Sequence, residues 1–280
     1  MSNVSNAADD LCGNMSVGFD LESDLTPHRI LTKNLIRHND YKLLADAREA
    51  YGACGYAALP GFLEKPAVVT LTDELTRLRE KAMRKDFSMP GYESPRNMAV
   101  LSGRQISRES PLIFSLYFHH AIRDMIAEIT QSSVYSCSHE GEFLVANMLE
   151  QPGDTHGWHI DDPAFALVIC LKSAPADAGG EVQFIPDWVD LCASHRRSPS
   201  ENIDDLVTEC HASGLVKTDQ LEAGDAYLLN AGDNLHRVMP LTRSGVSRWV
   251  VNLGFQSVPY QTCQWQLKFP HFGQSKIPQF

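Results

Sequence analysis

From Pro27 to about Thr130, apolar residues recur at helical spacing between short polar breaks. Ile30, Leu31 and Leu35 open the pattern, and Tyr41 to Tyr51 and Val68 to Met83 continue it. The stripe is clearest from Leu112 to Ile129, where Ile113, Leu116, Tyr117, Ile122, Met125, Ile126 and Ile129 line one side of a helix and need a surface to pack on. After Ser138 the texture changes to short runs rich in Val, Leu, Ile, Phe and Tyr, punctuated by Gly, Pro and Asp. Strands are predicted at Phe143–Leu149, Phe165–Leu171, Glu181–Ile185, Ala226–Asn230 and Arg248–Gln256. Helices first and strands second, without βαβ alternation, argue against a Rossmann sheet and for a sandwich or barrel sheathed by helices. A long insertion, Asp187 to Gln220, interrupts the strands and carries one expected helix, with Ser200 as N-cap and Gly214 as stop. Its pattern fits a lid or wall over a site as well as a plain surface excursion.

The 280 residues allow a sizeable buried core, and 43% hydrophobic with 21% charged residues is ordinary for a globular chain. A net charge of −11 without a Lys/Arg block disfavours nucleic acid as a partner. The longest apolar run, Ala164 to Leu171, is far short of the ~20 residues that cross a bilayer, so no membrane span is expected. Residues 1–20 read as a flexible polar tail with neither the basic leader nor the apolar stretch of a secretory signal. Seven scattered cysteines without a C-x-x-C spacing read as reduced thiols of a cytoplasmic protein.

Chemistry concentrates in Gly153-Asp-Thr-His-Gly-Trp-His159-Ile-Asp161-Asp162-Pro163. In an extended chain, residues i and i+2 project from the same face, so His159 and Asp161 present an imidazole and a carboxylate together. One further histidine completes a facial two-His, one-carboxylate set, which suits non-haem Fe(II). His236 supplies it, brought in from another part of the sheet by a strand, a Gly turn and a second strand in Gly224-Asp-Ala-Tyr-Leu-Leu-Asn-Ala-Gly-Asp-Asn-Leu-His236-Arg-Val. Arg248 then heads the last strand and offers a guanidinium fork for a carboxylate. His38-Asn39-Asp40 repeats the His-x-Asp spacing in a polar break and reads as solvated surface. His119 and His120, adjacent on a helix, do not face each other and make no second metal site. Taken singly, His159 is also compatible with a core histidine, Asp162 with a loop closed by Asp-Pro, and His156 with a partner for Asp154. Trp158 reads as packing, and Trp265 and His271 as cover for the sheet edge rather than a cap on the pocket.

His159-x-Asp161, the distal His236 and Arg248 together resemble the Fe(II)/2-oxoglutarate-dependent dioxygenases, and Gly179-Gly180-Glu-Val-Gln-Phe-Ile-Pro186 looks like the turn and strand that follow their metal loop. The resemblance implies a double-stranded β-helix, or jelly roll: an all-β core with added helices, with Fe(II), 2-oxoglutarate and O2 as cofactor and cosubstrates and Arg248 binding the distal carboxylate of 2-oxoglutarate. Pro152-Gly-Asp-Thr-His-Gly-Trp-His159, Leu235-His-Arg-Val and Pro240-Leu-Thr-Arg look more closely like the radical halogenase/hydroxylase group that acts on free lysine and related amino acids. That likeness reaches Ser94-Pro-Arg96 and Glu142. It implies that Arg96 and His156 hold a substrate carboxylate, and that Glu142 and Asp162 hold its amines. In halogenating members Gly replaces the metal carboxylate; this chain carries Asp161, so hydroxylation is the expected outcome. Desaturation, halogenation and a non-catalytic, cupin-like ligand-binding module are the alternatives, and Arg248 argues against the last.

The expected organisation is therefore a tail over 1–20 and one domain over 21–280. That domain is read as helical over 21–135, jelly roll over 136–258 with the 187–220 insertion, and closed by a segment over 259–280. The expected partner is a small, free, cationic amino acid such as lysine or ornithine, with a homodimer left open.

Overall fold

The structure is a computed structural model in which residues 41–139 and 141–259 are described. The expected tail, the repeat at Ile30 to Leu35, the His38–Asp40 pair and the Trp265 and His271 region lie outside them. The chain begins with α1 (Tyr41–Cys54), β1 (Tyr56–Leu59) and α2 (Lys65–Leu78). A hairpin of β2 (Met83–Met89) and β3 (Ser94–Ser102) follows, then α3 (Gly103–Glu109), α4 (Pro111–Phe118) and α5 (His120–Thr130). Next come β4 (Tyr135–Ser136), β5 (Leu144–Leu149), β6 (Thr155–His159), β7 (Phe165–Lys172) and β8 (Val182–Ile185). The insertion holds α6 (Trp188–Ser194) and α7 (Asp204–Ser213), and the chain continues through β9 (Lys217–Asp219), β10 (Ala226–Asn230), β11 (Leu235–Val238) and β12 (Arg248–Gln256).

All strands join one antiparallel sheet in the order β1-β10-β7-β12-β5-β3-β6-β11-β8-β9, with β2 added beside β3 and β4 beside β12. The sheet curls, so that the inner faces of β5, β7, β10 and β12 meet those of β6 and β11 across a single cavity. This is the jelly roll with added helices that the sequence pattern and the resemblance lead one to expect. The helices cover the outer face of the larger limb: Leu71, Leu75, Ile113, Ile122 and Ile126 pack on Leu144, Leu167, Ile169, Leu228 and Val251. β10 and β12 have the predicted bounds, because each is a continuous apolar run buried on both faces.

The stretch read as helical over 21–135 differs: it also contains β1, β2 and β3. Strand β2, Met-Arg-Lys-Asp-Phe-Ser-Met, is largely exposed along its length and carries no apolar alternation strong enough to compete with the helical period around it. The stripe from Leu112 to Ile129 is two helices, broken at His119, whose ψ of 117° is extended. A straight helix would carry the stripe from Leu116 and Tyr117 onto His120 and Asp124. The break re-phases it, so that Ile122, Met125, Ile126 and Ile129 are buried instead.

In the insertion, Gly214 ends a helix with φ +74°, as expected, but Ser200 is not the cap. The helix starts later, behind Ile203, with Asp204 and Asp205 in its first turn, where the helix dipole favours them. The indole N–H of Trp188 donates to the Pro199 carbonyl (2.8 Å), which ties the intervening link to α6. Trp188, Ile203, Leu206, Val207 and Cys210 pack on Met89, Tyr92, Trp158, Ile185 and Leu235, so the insertion is a wall behind β6, β8 and β11 on the side away from the cavity. Cys54, Cys137, Cys170, Cys192 and Cys210 are free thiols. No helix among the described residues is long and apolar enough to cross a membrane.

Tyr117 ties the helical layer to the barrel. Its buried hydroxyl accepts from the Cys137 N–H (2.8 Å) and donates to the Gly254 carbonyl (3.0 Å), and its ring stacks on Phe255 at 4.8 Å. Tyr117→Phe keeps the stack and strands two buried backbone groups, so urea denaturation is expected to show a loss of about 1–3 kcal/mol. An unchanged midpoint would show that this tie does not hold the layers together.

Candidate metal and cosubstrate centre

The cavity is built around the pairing of β6 with β11. His159 and His236 are direct Cα partners in that ladder, and their rings stand 4.2 Å apart, centroid to centroid. Asp161 follows two residues past the end of β6, its carboxylate oxygens 3.4 Å from His159 Nε2 and 3.7 Å from His236 Nε2. The three donor atoms lie within 4.8 Å of one another. Ligands at about 2.1 Å from a shared metal and at right angles stand roughly 3 Å apart, so only a slight contraction brings these three onto one ion.

Both imidazoles are oriented through their other nitrogen. His159 Nδ1 donates to the Gly157 carbonyl (2.7 Å) and His236 Nδ1 to the Asn234 carbonyl (3.0 Å), an assignment that follows from the acceptors present. Each Nε2 lone pair is thereby turned toward Asp161. Burial, with His159 alongside, pushes the His236 imidazole down to about 4, so it is neutral and able to ligate at pH 7. Burial pulls Asp161 the other way, but the neighbouring His159, His236 and Arg96 side chains outweigh it and hold the carboxyl below its usual range. Two imidazoles and one carboxylate on a cavity wall fit Fe(II).

The ladder carries an irregularity that strict alternation hides. Val238 pairs with His156 while His236 pairs with His159, so two residues of β6, Gly157 and Trp158, oppose one of β11, Arg237. This bulge turns both His156 and His159 toward the cavity, their rings stacked at 3.7 Å, and sends Trp158 outward beneath the Arg237 guanidinium. Gly157 sits at the bulge because a Cβ there would stand 2.7 Å from the Ser94 Cβ of β3. His156 does not bond Asp154, which is occupied by Arg84 (2.6 Å); its Nε2 is buried without a hydrogen-bond partner. Burial, with His159 and Arg96 nearby, holds its pKa well below the ordinary histidine value.

Arg96 is the Cα partner of His156 across the β3–β6 ladder, and its Nε is likewise buried and unpaired. Glu142 stands close enough to feel Arg96, Asp161 and Asp162, and one carboxylate oxygen, Oε2, has no partner. Burial, followed by the charges of Asp162 and Asp161, pushes its pKa up to about 8. Arg248, 3% exposed, lies in the cavity wall with Nη2 unpaired. Gly180 leaves room for its stem: a Cβ there would meet the Arg248 Cδ at 3.3 Å. Arg243, the other arginine of this region, pairs with Asp177 at the surface (2.7 Å). An orphaned guanidinium N–H in the cavity that holds the His-Asp-His set fits the distal carboxylate of 2-oxoglutarate.

The eight residues singled out in the sequence thus converge on one region. Sequence reasoning missed Tyr227, Asn147 and Asn252 in the same wall. The Tyr227 hydroxyl lies beside Arg248, and burial pushes its pKa up to about 12. The Asn147 and Asn252 side-chain carbonyls are buried without partners. Asn147, Asn252 and Tyr227 sit in otherwise apolar strand runs, where an isolated polar residue facing inward was the available signal.

Among solved structures, the non-haem alpha-ketoglutarate-dependent carbocyclase SnoK from nogalamycin biosynthesis is similar with a TM-score of 0.58 and 16% identity, over 75% of this chain and 82% of that one. The epimerase SnoN of the same biosynthesis, in complex with Fe3+, alpha-ketoglutarate and nogalamycin RO, gives 0.53 and 16% over 77% and 85%. HygX from Streptomyces hygroscopicus, with nickel and 2-oxoglutarate bound, gives 0.54 and 12% over 77% and 87%. These likenesses are of fold. No curated protein matches the sequence. The halogenase D family matches residues 39–265, a span that takes in every described element and all eight site residues, and the chain belongs to that family.

Proposed function

We propose that this chain is an Fe(II)- and 2-oxoglutarate-dependent hydroxylase of a small, free, cationic amino acid of the lysine or ornithine kind. One observation carries the choice of outcome: Asp161 stands within ligand distance of both His159 and His236. Halogenation requires a coordination position open to chloride, and here a carboxylate occupies it. The family's halogenase designation keeps halogenation as the competing outcome.

His159, Asp161 and His236 would hold iron, which with 2-oxoglutarate and O2 would supply the oxidation of an unactivated C–H bond, the cosubstrate ending as succinate and CO2. The protein's own residues do the rest. Arg248 anchors the distal carboxylate of the cosubstrate with a charge-assisted bond, and the Tyr227 hydroxyl lies against the same guanidinium. Arg96 and His156, both holding unpaired buried N atoms, receive the amino acid carboxylate, and Glu142 and Asp162 receive its ammonium groups. Support for this pairing is energetic: a zwitterion entering the barrel exchanges its hydration for opposite charges, and the unpaired Arg96 Nε, His156 Nε2 and Glu142 Oε2 gain partners in return. A neutral amino acid leaves a carboxylate unmatched.

The direct test supplies Fe(II), ascorbate and 2-oxoglutarate with a panel of free amino acids and reads succinate and product mass. A gain of one oxygen without chlorination in high chloride is expected, and His236→Ala should abolish substrate-dependent succinate. Asp161→Gly should lose most hydroxylation. Chlorination by the unmodified protein would overturn the assignment. Arg248→Ala is expected to raise the 2-oxoglutarate KM about ten-fold or more, since a charge-assisted hydrogen bond is worth about 1.5–3 kcal/mol and each ten-fold step about 1.4. An unchanged KM would move the anchor elsewhere.

Glu142 makes the reading pH-dependent. In the free protein its raised pKa keeps the carboxyl protonated to about pH 8, whereas an unfolded chain ionises it near 4.5. Its contribution to stability is therefore full below about pH 4.5 and is lost as pH rises through 8. A bound ammonium favours the carboxylate, so binding a diamino acid at pH 7 should release a proton, seen as a calorimetric enthalpy that varies with buffer ionisation heat. Glu142→Gln should abolish that release and weaken the diamino acid far more than 2-oxoglutarate. Identical enthalpies in phosphate and Tris would remove Glu142 from the ammonium site.

A further inference from the structure

Two peptide planes separate the ligands His159 and Asp161, and the N–H of each donates a hydrogen bond. The Ile160 N–H donates to the Tyr92 hydroxyl oxygen (3.3 Å), and the Asp161 N–H donates to the Ala231 carbonyl (2.8 Å). Successive N–H groups of an extended chain point to opposite sides, so the two bonds grip the segment from opposite flanks. The ladder that fixes His159 does not extend past it: β6 ends at His159, and the next strand begins at Phe165. Just upstream, the Ser94 hydroxyl donates to the Trp158 carbonyl (2.7 Å).

Tyr92 is itself firmly placed. It belongs to the turn of the β2–β3 hairpin, closed by the Glu93 N–H donating to the Met89 carbonyl (2.9 Å), and its ring is buried among Trp158, Trp188 and Ile203, with Ile160 packed against them. At Gly91 of the same turn a Cβ would stand 2.4 Å from the Ser200 carbonyl oxygen, so the hairpin tip is pressed directly on the insertion.

We propose that Tyr92 is a positioning residue for the metal centre: its hydroxyl fixes the His159–Ile160 peptide plane and thereby aims the Asp161 carboxylate at the two imidazoles. The insertion behind it then serves the site from the rear, as the buttress of the hairpin that carries Tyr92, Ser94 and Arg96. The inference rests on the reading of His159, Asp161 and His236 as metal ligands. Tyr92→Phe keeps the buried ring and removes only the acceptor of the Ile160 N–H. Partners that orient metal ligands are commonly worth ten- to a hundred-fold in metal affinity.

The test is anaerobic Co(II) titration of the full-length apoprotein, followed by calorimetry and by the visible absorption bands of the bound ion. Tyr117→Phe serves as control, because it also strips a buried tyrosine hydroxyl from backbone partners, but on the helical side of the barrel. Expected are one Co(II) per chain in the unsubstituted protein, binding about ten-fold or more weaker with shifted bands in Tyr92→Phe, and unsubstituted affinity and bands in Tyr117→Phe. Equal affinity and bands in Tyr92→Phe and the unsubstituted protein would overturn the proposal while leaving the metal site standing. Equal weakening in both variants would also overturn it, by assigning the loss to general destabilisation. Absence of Co(II) binding in the unsubstituted protein would overturn the metal reading and this inference together.

Discussion

The register of β6 on β11 is the constraint from which the rest of the site follows. It sets His159 opposite His236, and a slip of one residue would turn one imidazole out of the cavity while leaving the other inside. The same β6 pairs on its other edge with β3, and that ladder brings Arg96 opposite His156. One short strand thus carries two histidines and is held from both sides, by β11 on the ligand side and by β3 on the arginine side. The bulge between His156 and His159 lets both point inward without breaking either ladder.

Around that register the protein buries more polar groups than it can satisfy. Arg248, Arg96, His156, Glu142, Asn147 and Asn252 each leave a buried atom without a partner, and all lie in or beside the one cavity. Unpaired buried polar atoms are costly wherever they occur, typically about 1–3 kcal/mol each. The six gathered around this one cavity are placed where entering ligands can supply the missing partners. The raised pKa of Glu142 and the lowered values of His156 and His236 express the same desolvation. In the free protein these groups shed charge, and for His236 the neutral form is also the one that can bind a metal ion.

The two sides of the smaller limb have different tasks. Its inner face presents the ligand set, and its outer face is covered by the insertion, whose aromatic and aliphatic side chains form a core of their own with Trp158 and Tyr92. A segment whose sequence fits a lid, a wall or a plain surface excursion is thus packed as a wall, behind the strands that carry His159 and His236.

Much of this was legible in the chain before folding is considered. The His159-x-Asp161 pair, the distal His236 and the inward Arg248 stand out because such residues are expensive in apolar strands, and β10 and β12 could be bounded to the residue because continuous burial leaves a continuous apolar record. The hairpin of β2 and β3 escaped, since a half-exposed strand such as Met-Arg-Lys-Asp-Phe-Ser-Met records neither face clearly. His156 reached the candidate list through resemblance alone, since alternation along an extended chain places it on the face opposite His159. Local pattern reports how exposed each residue is, and that much the sequence by itself determined, together with the kind of chemistry it could host. Which residues meet across strands, which way a bulge turns a side chain, and which tyrosine from a distant hairpin reaches the Ile160 amide were decided only in the tertiary structure, because those contacts depend on register and packing between segments that carry no trace of one another in their own composition.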